Sequence, residues 1–313
     1  YPLRRQRQMC IRDRAGTDYS YIGNEAKTFE NFNIDRPIRE AMTDSAFNDY
    51  MLKYEVKPAV PYILQRSKNE QIIIINEAHH KPKHRVFTSS LLQGLYDQGF
   101  RYLGLETLTG ESRGDTNYNE RGYPIMSTGT YSKEPQFGEL LRQALKIGYT
   151  LFPYEGEGNG KPREINQAKN ITAFMEKHPN EKILIHCGYQ HAQEGEIKSS
   201  WEKAMAGRLL VYTGINPLTI NQTFYDNSYE TEYMSPLHQR LEINEPSVLL
   251  DSNQLSYLGT ENDKGFDIIV FHERNKYEND RPLWLLSNNK SWREIKLDSI
   301  NLNLPYFVLA YKK

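Results

Sequence analysis

Cysteine, long apolar runs and net charge are all scarce in this chain, and each shortage removes a class of function. There are 2 cysteines in 313 residues, too few for a disulfide framework or a cysteine-based zinc ribbon. No apolar run approaches the roughly 20 residues of a membrane-spanning helix, so no membrane span is expected. The HExxH zincin helix, the GxSxG elbow, the P-loop and the EF-hand loop are missing too. Neither an internal repeat nor a Pro/Gly/Ser-rich linker divides the chain.

The net charge is −1, but the first residues distort it. Met9 to Arg14 reads MCIRDR, which resembles the translation of a sequencing-library transposon end. Residues 1–14 are therefore read as a scar and excluded from fold reasoning. They hold five arginines against one aspartate, so the remainder stands at −5. The arginine cluster is not read as a nucleic-acid arm, and no nucleic-acid partner is expected. Cys10 falls in the same segment, which leaves Cys187 as the native cysteine. With the start replaced, the lack of a signal peptide leaves the compartment open.

What the chain does have is a 38% hydrophobic content and a recurrence. Four hydrophobic runs each end on a histidine or a carboxylate: IIIIN before Glu77, RYLGL before Glu106, TLFPY before Glu155, and KILIH before Cys187 and His191. Amphipathic stretches of helical length separate them, which predicts an α/β fold with a mostly parallel central sheet flanked by helices. Short β-like runs at Ser247 to Leu250, Phe266 to Phe271, Pro282 to Leu286 and Tyr306 to Tyr311 are expected to extend or cover that sheet. Residues 15–70 read as a lead-in segment, with a helix around Arg39 to Tyr54 and a turn from Lys57 to Tyr62. Residues 71–313 read as a single α/β domain, with a motif core at 71–214 and an accessory part at 215–313.

Within the core, helices are expected around Leu91 to Phe100, at Phe137 to Ile147, and at Arg163 to Lys177 with Pro162 in the first turn. Two further elements, KILIH and RLLVYTG, follow. Leu108 to Pro135 is too long for an ordinary connection: it is either an active-site flap or a surface insertion.

In a parallel sheet ligands gather beyond the carboxyl ends of the strands, so the acids and imidazoles should meet in one crevice. NEAHHKPKHR (Asn76 to Arg85) sets Glu77, His79, His80 and His84 in one strand-to-helix turn, where imidazole and carboxylate suit a divalent metal or acid–base work. His84 reads as a solvent-facing turn residue. Glu106 should be buried and must be paired, hydrogen-bonded or metal-bound. HCGYQH lets the backbone turn at Gly188 and aims His191 at the crevice, while His186 reads as a core histidine. Neighbours on a strand face opposite ways, so His186 and Cys187 do not form a dyad, and Cys187 reads as buried and inert. Arg163 either anchors an anionic group or is a surface arginine.

At these residues the chain resembles the superfamily joining ChaN-like haem-uptake proteins, erythromycin esterase-like hydrolases and TraB/Tiki proteases. NEAHHKPKHR is similar to GExHxxPxH with Asn76 in place of glycine, GYQHA matches Gly-x-x-His, and YLGLE and REINQAKN carry Glu106 and Arg163. The resemblance covers roughly Gln71 to Gly214. It implies a hydrolytic site of paired histidines, glutamates and arginine in some branches, metal-dependent in the Tiki branch, and haem binding in the ChaN-like branch. It also implies export to the periplasm.

Two readings follow. In the first the chain is a hydrolase of an ester or amide in a small-molecule or peptide substrate. His79, Glu106 and His191 would hold a divalent metal, with His80, Glu155 and His186 as further candidates. Glu77 would activate water and Arg163 would stabilise developing charge. In the second the same histidines bind haem or metal without catalysis, helped by Tyr118, Tyr123 or Tyr131. A catalytically silent interaction domain is a third possibility.

Overall fold

Isoleucines 72–75 form the middle of the molecule. They are wholly buried, and they alternate between two layers: Ile73 and Ile75 join one hydrophobic cluster, Ile72 and Ile74 another. That is the period-two signature of a strand covered on both faces. The structure is a computed structural model that describes residues 2–32, 37–108, 115–197, 199–226, 228–259, 265–278 and 281–286.

The central strands are β1 (Glu55–Pro58), β2 (Ile72–Glu77), β3 (Phe100–Leu105), β4 (Thr150–Pro153), β5 (Lys182–Gly188), β6 (Leu218–Tyr225), β7 (Ser247–Leu250) and β8 (Ile268–Phe271). They lie in the order β1-β7-β8-β6-β2-β5-β3-β4. Pairings from β8 through β4 are parallel, whereas β7 runs antiparallel to β8 and β1. A ribbon of β9 (Tyr277–Glu278) and β10 (Arg281–Pro282) lies apart from this sheet. The fold is therefore α/β, with a mostly parallel sheet extended by C-terminal strands.

The helices are α1 (Pro2–Tyr21), α2 (Glu25–Phe32), α3 (Asp44–Met51), α4 (Ala59–Arg66), α5 (Lys83–Asp97), α6 (Tyr118–Arg121), α7 (Pro135–Ile147), α8 (Lys161–Lys177), α9 (Met205–Thr213) and α10 (Pro236–Arg240). Helices α4, α5 and α7 supply the cluster on the Ile73 face, and α8 and α9 the cluster on the Ile72 face. A third cluster joins Leu249, Ile269 and Phe271 to Phe47 and Tyr50 of α3. None of the described helices is long and apolar enough to cross a membrane.

Several expectations change. The helix in the lead-in is α3, shorter than Arg39 to Tyr54. The turn from Lys57 to Tyr62 is instead β1 running into α4, and β1 pairs with β7. RLLVYTG closes α9, which stops at Gly214 in the left-handed region with φ 71°. The strand beside β2 is LTINQTFY, whose buried Thr219, Asn221 and Gln222 break the apolar pattern expected of a central strand. The run Tyr306 to Tyr311 lies outside the described residues.

Candidate active site

Parity along the strands decides which side chains meet. Glu77 follows Ile73 and Ile75 onto the α5/α7 face, His186 points the same way from β5, and Cys187 points to the other face. Past the strand ends the chain turns over the sheet edge, and four elements converge there.

The first unit is Glu77 with His79. Glu77 Oε1 lies 2.9 Å from His79 Nδ1, which fixes that nitrogen as the donor and leaves Nε2 for chemistry. Glu77 is 1% exposed, and both its oxygens are also gripped by Arg85, through Nε at 2.6 Å and Nη2 at 2.8 Å. The same guanidinium reaches Glu134 at 2.9 Å and the His79 carbonyl at 2.8 Å. Glu134 in turn caps α7 by accepting from the amides of Gln136 and Phe137. Burial alone would raise the Glu77 pKa, but the Arg85 charge and the His79 hydrogen bond bring it well below the usual carboxylate range.

The second unit mirrors the first. Glu164, fully buried in the first turn of α8, sets Oε1 2.7 Å from His191 Nδ1 and accepts the Met205 amide on Oε2. Burial alone would lower the His191 pKa; the Glu164 bond and the Glu106 charge outweigh it, and the imidazole is raised. Its Nε2 has two neighbours, Arg163 Nη1 at 3.0 Å and Glu106 Oε1 at 3.6 Å. Neutral, Nε2 accepts from the first; protonated, it can donate to the second.

Glu106 stands between the two units. The Gly188 amide donates to Oε2 and Arg163 Nη2 to Oε1. Burial pushes its pKa up, yet His191, His79 and Arg163 together leave it lowered, so it is an anion at neutral pH. Arg163 is oriented by Glu155 through Nε at 2.9 Å. Gly188 is obligatory by crowding: a Cβ there would stand 2.6 Å from His79 Nε2 and 3.3 Å from Glu106 Oε2. Solvent reaches 19% of the His79 side chain and 26% of Arg163.

Aromatic rings hold the imidazoles. Tyr131 stacks on His79 at 4.0 Å, Tyr189 meets it edge-on at 5.1 Å, and Trp201 stacks on His191 at 5.3 Å. Tyr189 has φ 41°, a strained value for a residue with a side chain. Asn76 steadies that turn by donating to the Tyr189 carbonyl at 2.7 Å while accepting the Gln222 amide at 2.9 Å.

The structure thus gathers Glu77, His79, Glu106, Arg163 and His191, with Glu155 behind Arg163. Other expectations are corrected. Glu77, expected to activate water, has both oxygens bonded to Arg85, one of them also to His79, and is almost wholly buried. His80 turns away to Tyr189 Oη at 3.1 Å and stacks on Phe32. His84 is buried, not solvent-facing: Nδ1 accepts the Ala78 amide at 3.0 Å and Nε2 faces Asp226 at 3.2 Å. His186 is a core histidine 3.6 Å from Glu77, its pKa brought down to about 4 by burial. Cys187 is buried with Sγ toward the Ile75 carbonyl, and burial pushes its thiol pKa up.

Of the long segment from Leu108 to Pro135, the described part returns to the site through Tyr131. Residues 109–114 lie outside the described residues. Tyr118 packs in the core and Tyr123 is exposed beside Arg121.

The donor set does not fit the expected divalent metal. Arg163 already donates to Glu106 and contacts His191 Nε2, so a fixed cation occupies the space between two of the three ligands. Among the described residues no group of three or more His, Cys, Asp and Glu side chains is arranged to hold a metal ion.

Arg85, Glu134, Glu164 and Trp201 were not singled out by sequence reasoning. Glu164 is the neighbour of Arg163, where an acid in a first helical turn is commonplace; its signal was invisible without His191 beside it.

No family model matches the chain, and no curated protein matches its sequence. Solved structures of similar architecture include the type III effector HopBA1, at 12% identity over 71% of this chain and 98% of that one, with a TM-score of 0.42. Another is RRSP, a MARTX toxin effector domain from Vibrio vulnificus, at 14% identity over 64% of this chain and 43% of that one, TM-score 0.35. A third is the C-terminal region of Pasteurella multocida toxin, whose structures reveal a thiol-protease-like catalytic triad, at 11% identity over 64% of this chain and 27% of that one, TM-score 0.38. The chain spans under half the length of these two toxin chains. The resemblance to ChaN-like, erythromycin esterase-like and TraB/Tiki proteins is corrected by these findings: no family model carries it, and the similar structures are bacterial effector and toxin domains.

Proposed function

We propose that the chain hydrolyses an ester or amide bond, with His79 as general base, His191 as general acid and Arg163 as the counter-charge for the oxyanion. The observation that carries this reading is the pair of Glu–His units, Glu77–His79 and Glu164–His191, facing one another across Glu106 and Arg163.

His79 takes a proton on Nε2 from water, and Glu77 stabilises the imidazolium that forms. The attacked carbonyl oxygen gathers negative charge, which Arg163 offsets from a partly dry site. Protonated His191 then gives its Nε2 proton to the leaving oxygen or nitrogen, a transfer its raised pKa favours near neutral pH. Glu106 holds Arg163 and the turn at Gly188 in place. A cysteine nucleophile is not part of the scheme, since Cys187 lies on the opposite face of the sheet. Nor is a metal, because Arg163 takes its place among the donors.

The test is hydrolysis of 4-nitrophenyl acetate and an acyl anilide by protein dialysed against EDTA. The expected result is turnover above heat-denatured protein and unchanged by chelation within about twofold. Turnover lost on chelation and restored by zinc would instead favour a metal-bound water.

A further inference from the structure

A cleft of about 450 Å³ opens beside the site, and Tyr189 and Trp201 belong to both. Each ring touches a catalytic imidazole and also lines the cleft. A group in the cleft would therefore lie against the same rings that hold the two imidazoles. Phe224 and Tyr233 add two more aromatic walls among otherwise mostly polar side chains, so the cleft can stack a flat ring that carries a polar or charged group.

Charge is the second constraint. The charged residues of the lining, histidine aside, are Arg39, Lys81 and Asp226. Lys81 lies 2.9 Å from Asp226, and His84 contacts that carboxylate from behind. This leaves Arg39 as the uncompensated cation: its guanidinium forms no ion pair among the described residues. Its backbone is nonetheless anchored, donating to the Glu232 carbonyl at 2.8 Å and accepting from Gln239 at 3.0 Å. An exposed but anchored arginine at the rim of an aromatic cleft reads a carboxylate or comparable anion.

Resting on the hydrolase reading above, we propose that the cleft selects substrates whose leaving or acyl portion is an aromatic group bearing a negative charge, with Arg39 as the residue that sets this preference. The probes are 4-hydroxybenzoate and its neutral amide, 4-hydroxybenzamide, titrated calorimetrically into the intact chain. The carboxylate is expected to bind about fivefold tighter than the amide, to lose that advantage in Arg39→Gln, and to fall behind it in Arg39→Glu. Equal binding of the two probes by the unmodified chain, or a preference that survives Arg39→Gln, would overturn the proposal. Because these titrations need no turnover, their result stands apart from that of the acetate esters of the same two phenols. Absence of ester hydrolysis with the binding preference intact would count against the hydrolase reading and leave the anion preference standing.

Discussion

His79→Ala is expected to lower kcat/KM on a responsive ester by about 10²- to 10⁴-fold, the range associated with a positioned general base. The ring is the partly exposed imidazole whose Nδ1 is committed to the buried Glu77 carboxylate, which leaves Nε2 as the basic nitrogen. Glu77→Gln should approach the same loss, since an amide nitrogen turned toward Nδ1 would force the tautomer that has no lone pair on Nε2. KM should change little in either variant, because neither residue lines the aromatic cleft. A His79→Ala protein that keeps full turnover would mean that Glu106 or bulk hydroxide is the base.

The second large effect concerns stability. Arg85 is fully buried and bonded to two buried carboxylates, Glu77 and Glu134. Arg85→Met leaves both unpaired, which is expected to cost about 3–5 kcal/mol in denaturant unfolding near neutral pH. Glu77 is held below its unfolded pKa in the native chain, so the stability it contributes is present above the unfolded value and lost as pH falls through the folded one. Without Arg85, burial pushes Glu77 the other way and raises Glu134, already above its ordinary value, further, so protonation relieves both. The deficit should therefore be largest above about pH 5 and shrink as pH falls below the ordinary glutamate range. Adding Glu77→Gln and Glu134→Gln to Arg85→Met should recover much of the loss at neutral pH. A deficit independent of pH would point to lost packing instead.

Much of the sheet was legible because β2, β3, β4 and β5 are apolar runs ending in polar residues, and parallel topology then places those ends together. The same rule found Glu106 and His191 although 85 residues separate them. β6 escaped because Asn221 and Gln222 serve as buried tethers, Gln222 joining Asn76 to His272; polar residues with such partners look like loop in a sequence. Arg85 and Glu164 escaped for a related reason. A buried ion pair is defined by a tertiary neighbour, and in sequence each looks like any charged residue near a helix start. The metal expectation rested on donors that Arg163 also contacts, and spacing in the sequence does not distinguish a coordinated cation from a guanidinium.

The central claim, that two carboxylate-oriented imidazoles act as base and acid across one site, is tested most directly by the pH dependence of kcat/KM in the unmodified chain and in Glu164→Gln. The account predicts a bell-shaped profile in which activity falls at high pH as His191 loses its proton. Removing the Glu164 charge, one of the interactions that raise the His191 pKa, should move that alkaline limb to lower pH. An alkaline limb that stays where it was, or a profile that rises without limit toward high pH, would contradict it.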